Sequence, residues 1–196
     1  MKNILRPALV LFLVLTFLTG IVYPLVVTGL TQTLFPVQAH GSLIFRDGKA
    51  IGSTLIGQSF SDPAHFWSRP SATGTMANNA SASSGSNLGP MNPALTDAVK
   101  ARVAALRAAD PPNQAAVPVD LVTASASGLD PHISLAAAQY QLGRVAIARK
   151  LSNQAVQMLI DQATQRPLFW LPGEPVVNVL QLNLALDAHS SHGHTP

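Results

Sequence analysis

Hydrophobic and polar positions divide this chain into contrasting stretches. From Pro7 to Leu30, "PALVLFLVLTFLTGIVYPLVVTGL" runs 24 residues without a charge. At 1.5 Å per residue that makes about 36 Å of helix, enough to cross a hydrocarbon core of about 30 Å with some tilt. Downstream, Leu43 and Phe45 alternate with polar neighbours, and Asp47-Gly48 suits a two-residue hairpin turn. Residues 66–93 show no period and are rich in Ser, Gly, Asn and Ala. A stretch this long without periodicity is either functional or disordered, and the expectation is a loop ordered by a partner.

Helical periodicity then returns. Leu95, Val99, Val103 and Leu106 form one face, with Asn92 as cap, Pro93 at the first helical position and Asp110-Pro111-Pro112 as the stop. Val119–Ala124 reads as a strand. Ser134 caps a second helix with the stripe Leu135, Ala138, Leu142 and Val145. Ser152 caps a third, with Val156, Leu159, Ile160 and Ala163, ended by Arg166-Pro167. "LFWLP", residues 168–172, is a short strand candidate. Leu180, Leu182, Leu184 and Leu186 alternate as in a strand, yet Asn178 with Gln181 three residues on resembles a capping box. Leu, Gln and Ala favour helix, so helix is expected there. The fold class is α+β: a single transmembrane helix followed by one mixed extracytoplasmic domain.

Charge orients this arrangement. Lys2 and Arg6 precede the apolar run, while the twenty residues after it hold only Arg46, Asp47 and Lys49. By the positive-inside rule residues 1–6 are cytoplasmic, 7–30 span the membrane, and 31–188 form the outer domain ahead of a His-rich tail, 189–196. The rival, a cleaved signal peptide with a site at Val37–Ala39, needs an apolar core of only about 7–15 residues, so a retained span is expected. Thr16, Thr19, Gly20 and Tyr23 recur on one stripe of the helix, beside Pro24. Small and hydroxylated residues allow close approach and hydrogen bonding, which makes this stripe the candidate face for a partner helix.

Composition agrees with a membrane protein: 47% of residues are hydrophobic and 11% charged, against roughly 25% charged in a soluble domain. There is no cysteine, hence no disulfide, thiol nucleophile or thiolate metal site. The net charge is +3, but two of the twelve basic residues are Lys2 and Arg6, leaving ten against nine acidic ones. A balance of +1 is no footprint for nucleic acid.

Candidate chemistry is sparse. The chain has no phosphate loop, dinucleotide fingerprint, H-E-x-x-H, nucleophile elbow or Asp-Lys-Thr. Only Glu174 is a glutamate, and nothing marks a carboxylate pair. The tail's His189, His192 and His194 have the donors for Zn²⁺ or Ni²⁺ but no fixed fourth ligand, so a solvated tail is expected. "LVTASASGLDPHIS", 121–134, holds Ser125 and Ser127 near His132. A serine nucleophile needs a positioned base, and His132 is too near in sequence to reach Ser127 without a specific turn. The expected role is a structural corner: Gly128 permits positive φ, Asp130-Pro131 turns, and Ser134 caps. Partner contact and catalysis are the alternatives. A membrane-anchored hydrolase using Ser125 or Ser127 and a free-standing metal-binding protein using the tail are the rival functions.

Several blocks carry a resemblance: "RPALVLFLVLTFLTGIVYPLVVTGL", "GSLI", "GSTLIGQSF", "FWSRPSAT", "SGSNLGPMNPAL", "VPVDLVTASASGLDPHIS" and "PVVNVLQLNLALD". In this order, over most of residues 5–187, the chain resembles the C subunit of the bacterial Kdp potassium-transporting ATPase. The tail from His189 lies outside the likeness. The resemblance implies a complex with a channel-like potassium-binding subunit, a P-type ATPase subunit and a small membrane subunit in the lipid bilayer of the inner membrane. It implies a non-catalytic assembly factor and catalytic chaperone that raises the pump's ATP affinity, with no cofactor and no catalytic residue. Arg69, Pro70, Asn87, Ser127, Gly128 and Asp130 are the candidate partner-contact positions.

Overall fold

A computed structural model describes residues 2–167 and 173–192. The chain divides into two compact units, residues 1–51 and 52–196.

The first unit is dominated by the apolar helix. The run without charge lies inside a longer helical stretch: α1 (Lys2–Phe17), a π-helical turn (Leu18–Val22) and α2 (Tyr23–Leu34). Its span-length part, Ile4–Leu34, is 31 residues long and is not buried by the rest of the chain. That would cost heavily in water, which fits a membrane-anchored protein. The π turn closes with the Tyr23 N–H on the Leu18 carbonyl, and Pro24 follows. Proline has no N–H to continue the α-helical ladder, so a widened turn at this place has a local cause. A short α3 (Pro36–Ala39) leads to the expected hairpin, β1 (Leu43–Arg46) and β2 (Lys49–Ser53). Asp47 at φ 52° and Gly48 at φ 75° form its turn.

The second unit contains α4 (Pro93–Ala109), β3 (His132–Ser134), α5 (Leu135–Arg149), α6 (Asn153–Ala163), β4 (Thr164–Gln165), β5 (Val176–Asn178) and α7 (Val179–His192). The strands form an antiparallel sheet in the order β3-β5-β4, with Ile133 opposite Val177 and Thr164 also opposite Val177. Ile133, Val145, Val156, Ile160, Val177, Leu182 and Leu186 meet in the buried core, and Leu106 of α4 joins it. The helix starts follow the local signals. Asn92 Oδ1 accepts from Ala94 N, Ser134 Oγ from Ala137 N, Ser152 Oγ from Ala155 N and Asn178 Oδ1 from Gln181 N. The last of these decides 179–187 for helix, with Asn178 ending β5 as its cap.

Two expectations need correction. Val119–Ala124 is not a strand: Val119–Leu121 form a 3₁₀ turn after Pro118. The Thr123 hydroxyl donates to Val119 O and Arg102 donates to Val122 O, so these carbonyls serve a turn rather than a ladder. The loop 70–93 is not left for a partner to order. Apart from a 3₁₀ turn at Ala80–Ala82 it is irregular, but hydroxyls tie it to its own domain. Ser71 Oγ donates to Gly128 O, Asn78 N to Ser71 Oγ, and Ser84 N to Ser127 O. Polar bonding supplies what apolar burial lacks. The strand candidate 168–172 lies outside the described residues.

Candidate functional site

Residues 120–134 and 69–84 build one hydrogen-bonded corner. Asp130 is its centre. Asp130 Oδ1 accepts from His132 N at 3.0 Å and lies 3.4 Å from His132 Nδ1. Asp130 Oδ2 pairs with Arg69 Nη1 at 3.0 Å. Burial pushes this carboxyl's pKa up, but the bonds from His132 and the charge of Arg69 outweigh it and hold the pKa below its ordinary value. A second carboxylate, Asp120, accepts from Ser134 N at 2.7 Å and from Ser134 Oγ at 3.2 Å. Asp130 and Asp120 thus cover the N–H groups of His132 and Ser134 on edge strand β3, which blunts strand addition there.

The rest of the corner is backbone. Ser125 N donates to Pro70 O at 3.3 Å, and Ser127 O accepts from Ser84 N at 3.0 Å and Ser83 Oγ at 2.9 Å. Gly128 has φ +69°, and a Cβ on it would stand 2.6 Å from Ser84 O and 2.6 Å from Thr73 Cγ2. Close approach and a left-handed backbone both require glycine here.

Arg69, Pro70, Ser127, Gly128 and Asp130, five of the candidate contact positions, therefore come together in one corner. Asn87 does not: it is exposed, at φ 52°, and makes no hydrogen bond with this group. Ser127 Oγ accepts from Leu129 N at 3.1 Å, and Ser125 is buried. Among the described residues no histidine or carboxylate hydrogen-bonds to either serine. His132 turns its ring to Asp130 instead. His189 is exposed, while His194 and the His192 side chain lie outside the described residues. No group of three His, Cys, Asp or Glu residues suited to a metal occurs among the described residues.

Along the apolar helix, Thr16, Thr19, Gly20 and Tyr23 are all exposed. Apart from its chain neighbours and the backbone of its own helix, nothing described lies within 4 Å of a Cβ built on Gly20. The Thr19 hydroxyl donates to Leu15 O at 2.7 Å, so its proton serves its own helix, and toward a partner it can only accept.

Sequence reasoning missed a strap. Residues 62–69 run over α5 and α7 and are held there by side chains. Gln141 Oε1 accepts from Trp67 N at 2.8 Å and Gln141 Nε2 donates to Trp67 O at 3.1 Å. Asn183 does the same for Phe66. Arg144 donates to Pro63 O and His65 O, and Arg149 Nε to Ala64 O. Gln141 and Arg144 sit among the buried residues of α5, beside Ala137, Ala138 and Val145. A polar residue within an apolar stripe demands a partner, and that was the available signal.

The strap ends at Arg69, which borders two cavities. One, of 550 Å³, is lined by Asp120, Asp130, His132 and Glu174. The other, of 260 Å³, is walled by Phe60, Trp67, Arg102, Leu106 and Leu121.

Comparison with known proteins places these features in a family. The family model for the K+-transporting ATPase c chain, KdpC, matches residues 5–188. A Polaromonas naphthalenivorans protein named as the potassium-transporting ATPase KdpC subunit is 71% identical over 188 residues, 96% of each chain. Its namesake from Variovorax paradoxus is 64% identical over 191 residues, 97% of this chain and 99% of the relative. That of Sorangium cellulosum is 63% identical over 183 residues, 93% of this chain and 96% of the relative.

Proposed function

The chain belongs to the KdpC family of K+-transporting ATPase c chains, and from that membership we propose a non-catalytic subunit that assists assembly and raises the pump subunit's ATP affinity from a distance. The observation behind the subunit role is the match over residues 5–188, which takes in both the apolar helix and the Asp130 corner. A potassium-transport accessory role follows from the family. The finer roles are what the family resemblance implies, and physical argument bears on how this chain would carry them out.

A non-catalytic role is supported by how the corner's groups are used. Asp130, Ser127 and the Gly128 carbonyl already hold one another's loops in place, so a reaction would have to break the fold's own bonds. The partners are a channel-like potassium-binding subunit, a P-type ATPase subunit and a small membrane subunit. The stripe Thr16, Thr19, Gly20 and Tyr23 meets a partner helix, and the corner with Arg69, Pro70, Ser127, Gly128 and Asp130 meets a partner's outer surface. Asn87 extends this contact along the neighbouring loop.

Orientation makes the effect on ATP indirect. Lys2 and Arg6 hold the amino end in the cytoplasm, so the folded domain is outside while a P-type pump binds ATP inside. The subunit favours one pump conformation and the nucleotide site feels that preference through the membrane helices. Coupling of this kind is typically worth about 1–3 kcal/mol. Orientation is testable in intact cells: single cysteines replacing Ser83 and Ser190 react with a membrane-impermeant maleimide. Reaction only after lysis would reverse the orientation and remove the argument for indirect action.

A further inference from the structure

We infer that the 260 Å³ cavity beside Arg69 is a docking pocket for an acidic segment of a partner subunit, an inference that rests on the proposed subunit role. Its wall is largely apolar and aromatic, from Phe60, Trp67, Leu106 and Leu121, with Ser59 and Ser68 as neutral polar members and Arg69 and Arg102 as the charged ones. No carboxylate among the described residues lines it. Among the described residues, each arginine spends only one hydrogen bond. Arg69 Nη1 is on Asp130 at 3.0 Å and Arg102 Nη1 on Val122 O at 2.8 Å. A guanidinium carries five N–H donors, so both have capacity left over.

Charge complementarity selects the occupant. Arg69 has Asp130 as its counter-charge, but Arg102 is bonded only to the neutral Val122 carbonyl, so a purely apolar segment would strip water from that cation without returning a charge, and an unpaired buried charge is costly. A carboxylate offsets that cost and accepts from arginine in the bidentate geometry it favours. The aromatic wall meanwhile buries the apolar neighbours of that acid. Trp and Arg side by side are also the residue types that dominate interface energetics. Trp67 is held ready in this wall, because Gln141 fixes its backbone and the Arg144 guanidinium lies 4.8 Å from its ring.

The test uses the assembled complex. Ala105 lines the cavity, is exposed, and makes no side-chain bond, so Ala105→Trp fills the pocket without disturbing the fold. Recovery of the partner subunits with this variant should fall by about tenfold or more, the loss expected of a blocked interface anchor. Ala101→Trp, on the same helix outside the cavity, should recover them as the parent does. Arg102→Lys keeps the cation and supplies an amine. A zero-length carbodiimide should then join that amine to an Asp or Glu of a partner subunit, identified by peptide mass spectrometry. Full recovery with Ala105→Trp, equal loss with Ala101→Trp, or no carbodiimide link to a partner would overturn the pocket while leaving the subunit role standing. A link to a lipid carboxylate or phosphate in place of a partner carboxylate would overturn it as well. Failure of the parent chain to recover any partner would bring down the subunit role first.

Discussion

Asn183 reads both backbone groups of Phe66: its Oδ1 accepts from Phe66 N at 2.8 Å and its Nδ2 donates to Phe66 O at 3.0 Å. The amide thus imitates a neighbouring strand for a segment that has none. Both residues are shielded, Phe66 at 0% and Asn183 at 1% exposure, so water cannot replace either bond. Asn183→Ala should cost about 2–4 kcal/mol, since it strands a buried donor and a buried acceptor together. Urea denaturation with an unchanged slope and a lower midpoint is the expected result, and a loss below about 1 kcal/mol would separate the strap from stability.

Gly128 gives a second test of the corner. Its φ of +69° and the 2.6 Å approach of Ser84 O leave no room for a side chain. Gly128→Val should destabilise the fold by more than about 2 kcal/mol, through strain and overpacking combined. Ser125→Ala and Ser127→Ala should leave pump turnover intact. Lost turnover in a folded, assembled serine variant would point to chemistry instead.

Acid should loosen the strap. Burial raises the Asp187 carboxyl, but hydrogen bonds from Arg149 at 2.7 Å and His65 at 3.1 Å prevail and lower its pKa from 3.8. A carboxylate depressed in the fold stabilises above its unfolded pKa and loses that contribution as pH falls through the folded value. Stability should therefore drop below about pH 4, and Asp187→Asn should show a smaller drop while being less stable at neutral pH. Thermal unfolding of the two proteins across the acid and neutral range separates these outcomes.

Loop 70–93 should exchange slowly where it is bonded. The amides of Asn78, Asn79 and Ser84 donate to Ser71 Oγ, Thr73 Oγ1 and Ser127 O, and should be protected relative to Gly89. Uniformly fast exchange would return the loop to a segment that a partner must order.

The membrane helix offers a contrast of two substitutions. Gly20→Leu should weaken recovery of the complex and Val14→Leu should not, because only the first removes close approach on the stripe. Equal recovery would count against that face.

Local signals were legible and non-local ones were not. Asn92, Ser134, Ser152 and Asn178 announced their helices because a cap bonds within three residues of itself. The Asp47-Gly48 turn was readable for the same reason. Strands β3 and β5 are three residues each, and their pairing of Ile133 with Val177 leaves no period to read. Val119 and Leu121 looked like strand residues, yet Asp120 is committed to Ser134 and the segment turns. Within the candidate site, Gly128 was readable from its neighbours. The Arg69–Asp130 pair joins residues 61 positions apart, so only the fold reveals it.

On the proposed reading this family member acts on the pump without contacting nucleotide. The direct measurement is the ATP dependence of potassium-stimulated hydrolysis by the partner subunits, with and without this chain, alongside photolabelling by a reactive ATP analogue. Adding the chain should lower the KM for ATP by about 5- to 150-fold, the range of ordinary allosteric coupling, while label appears on the pump subunit alone. An unchanged KM, or label on this chain, would contradict the account.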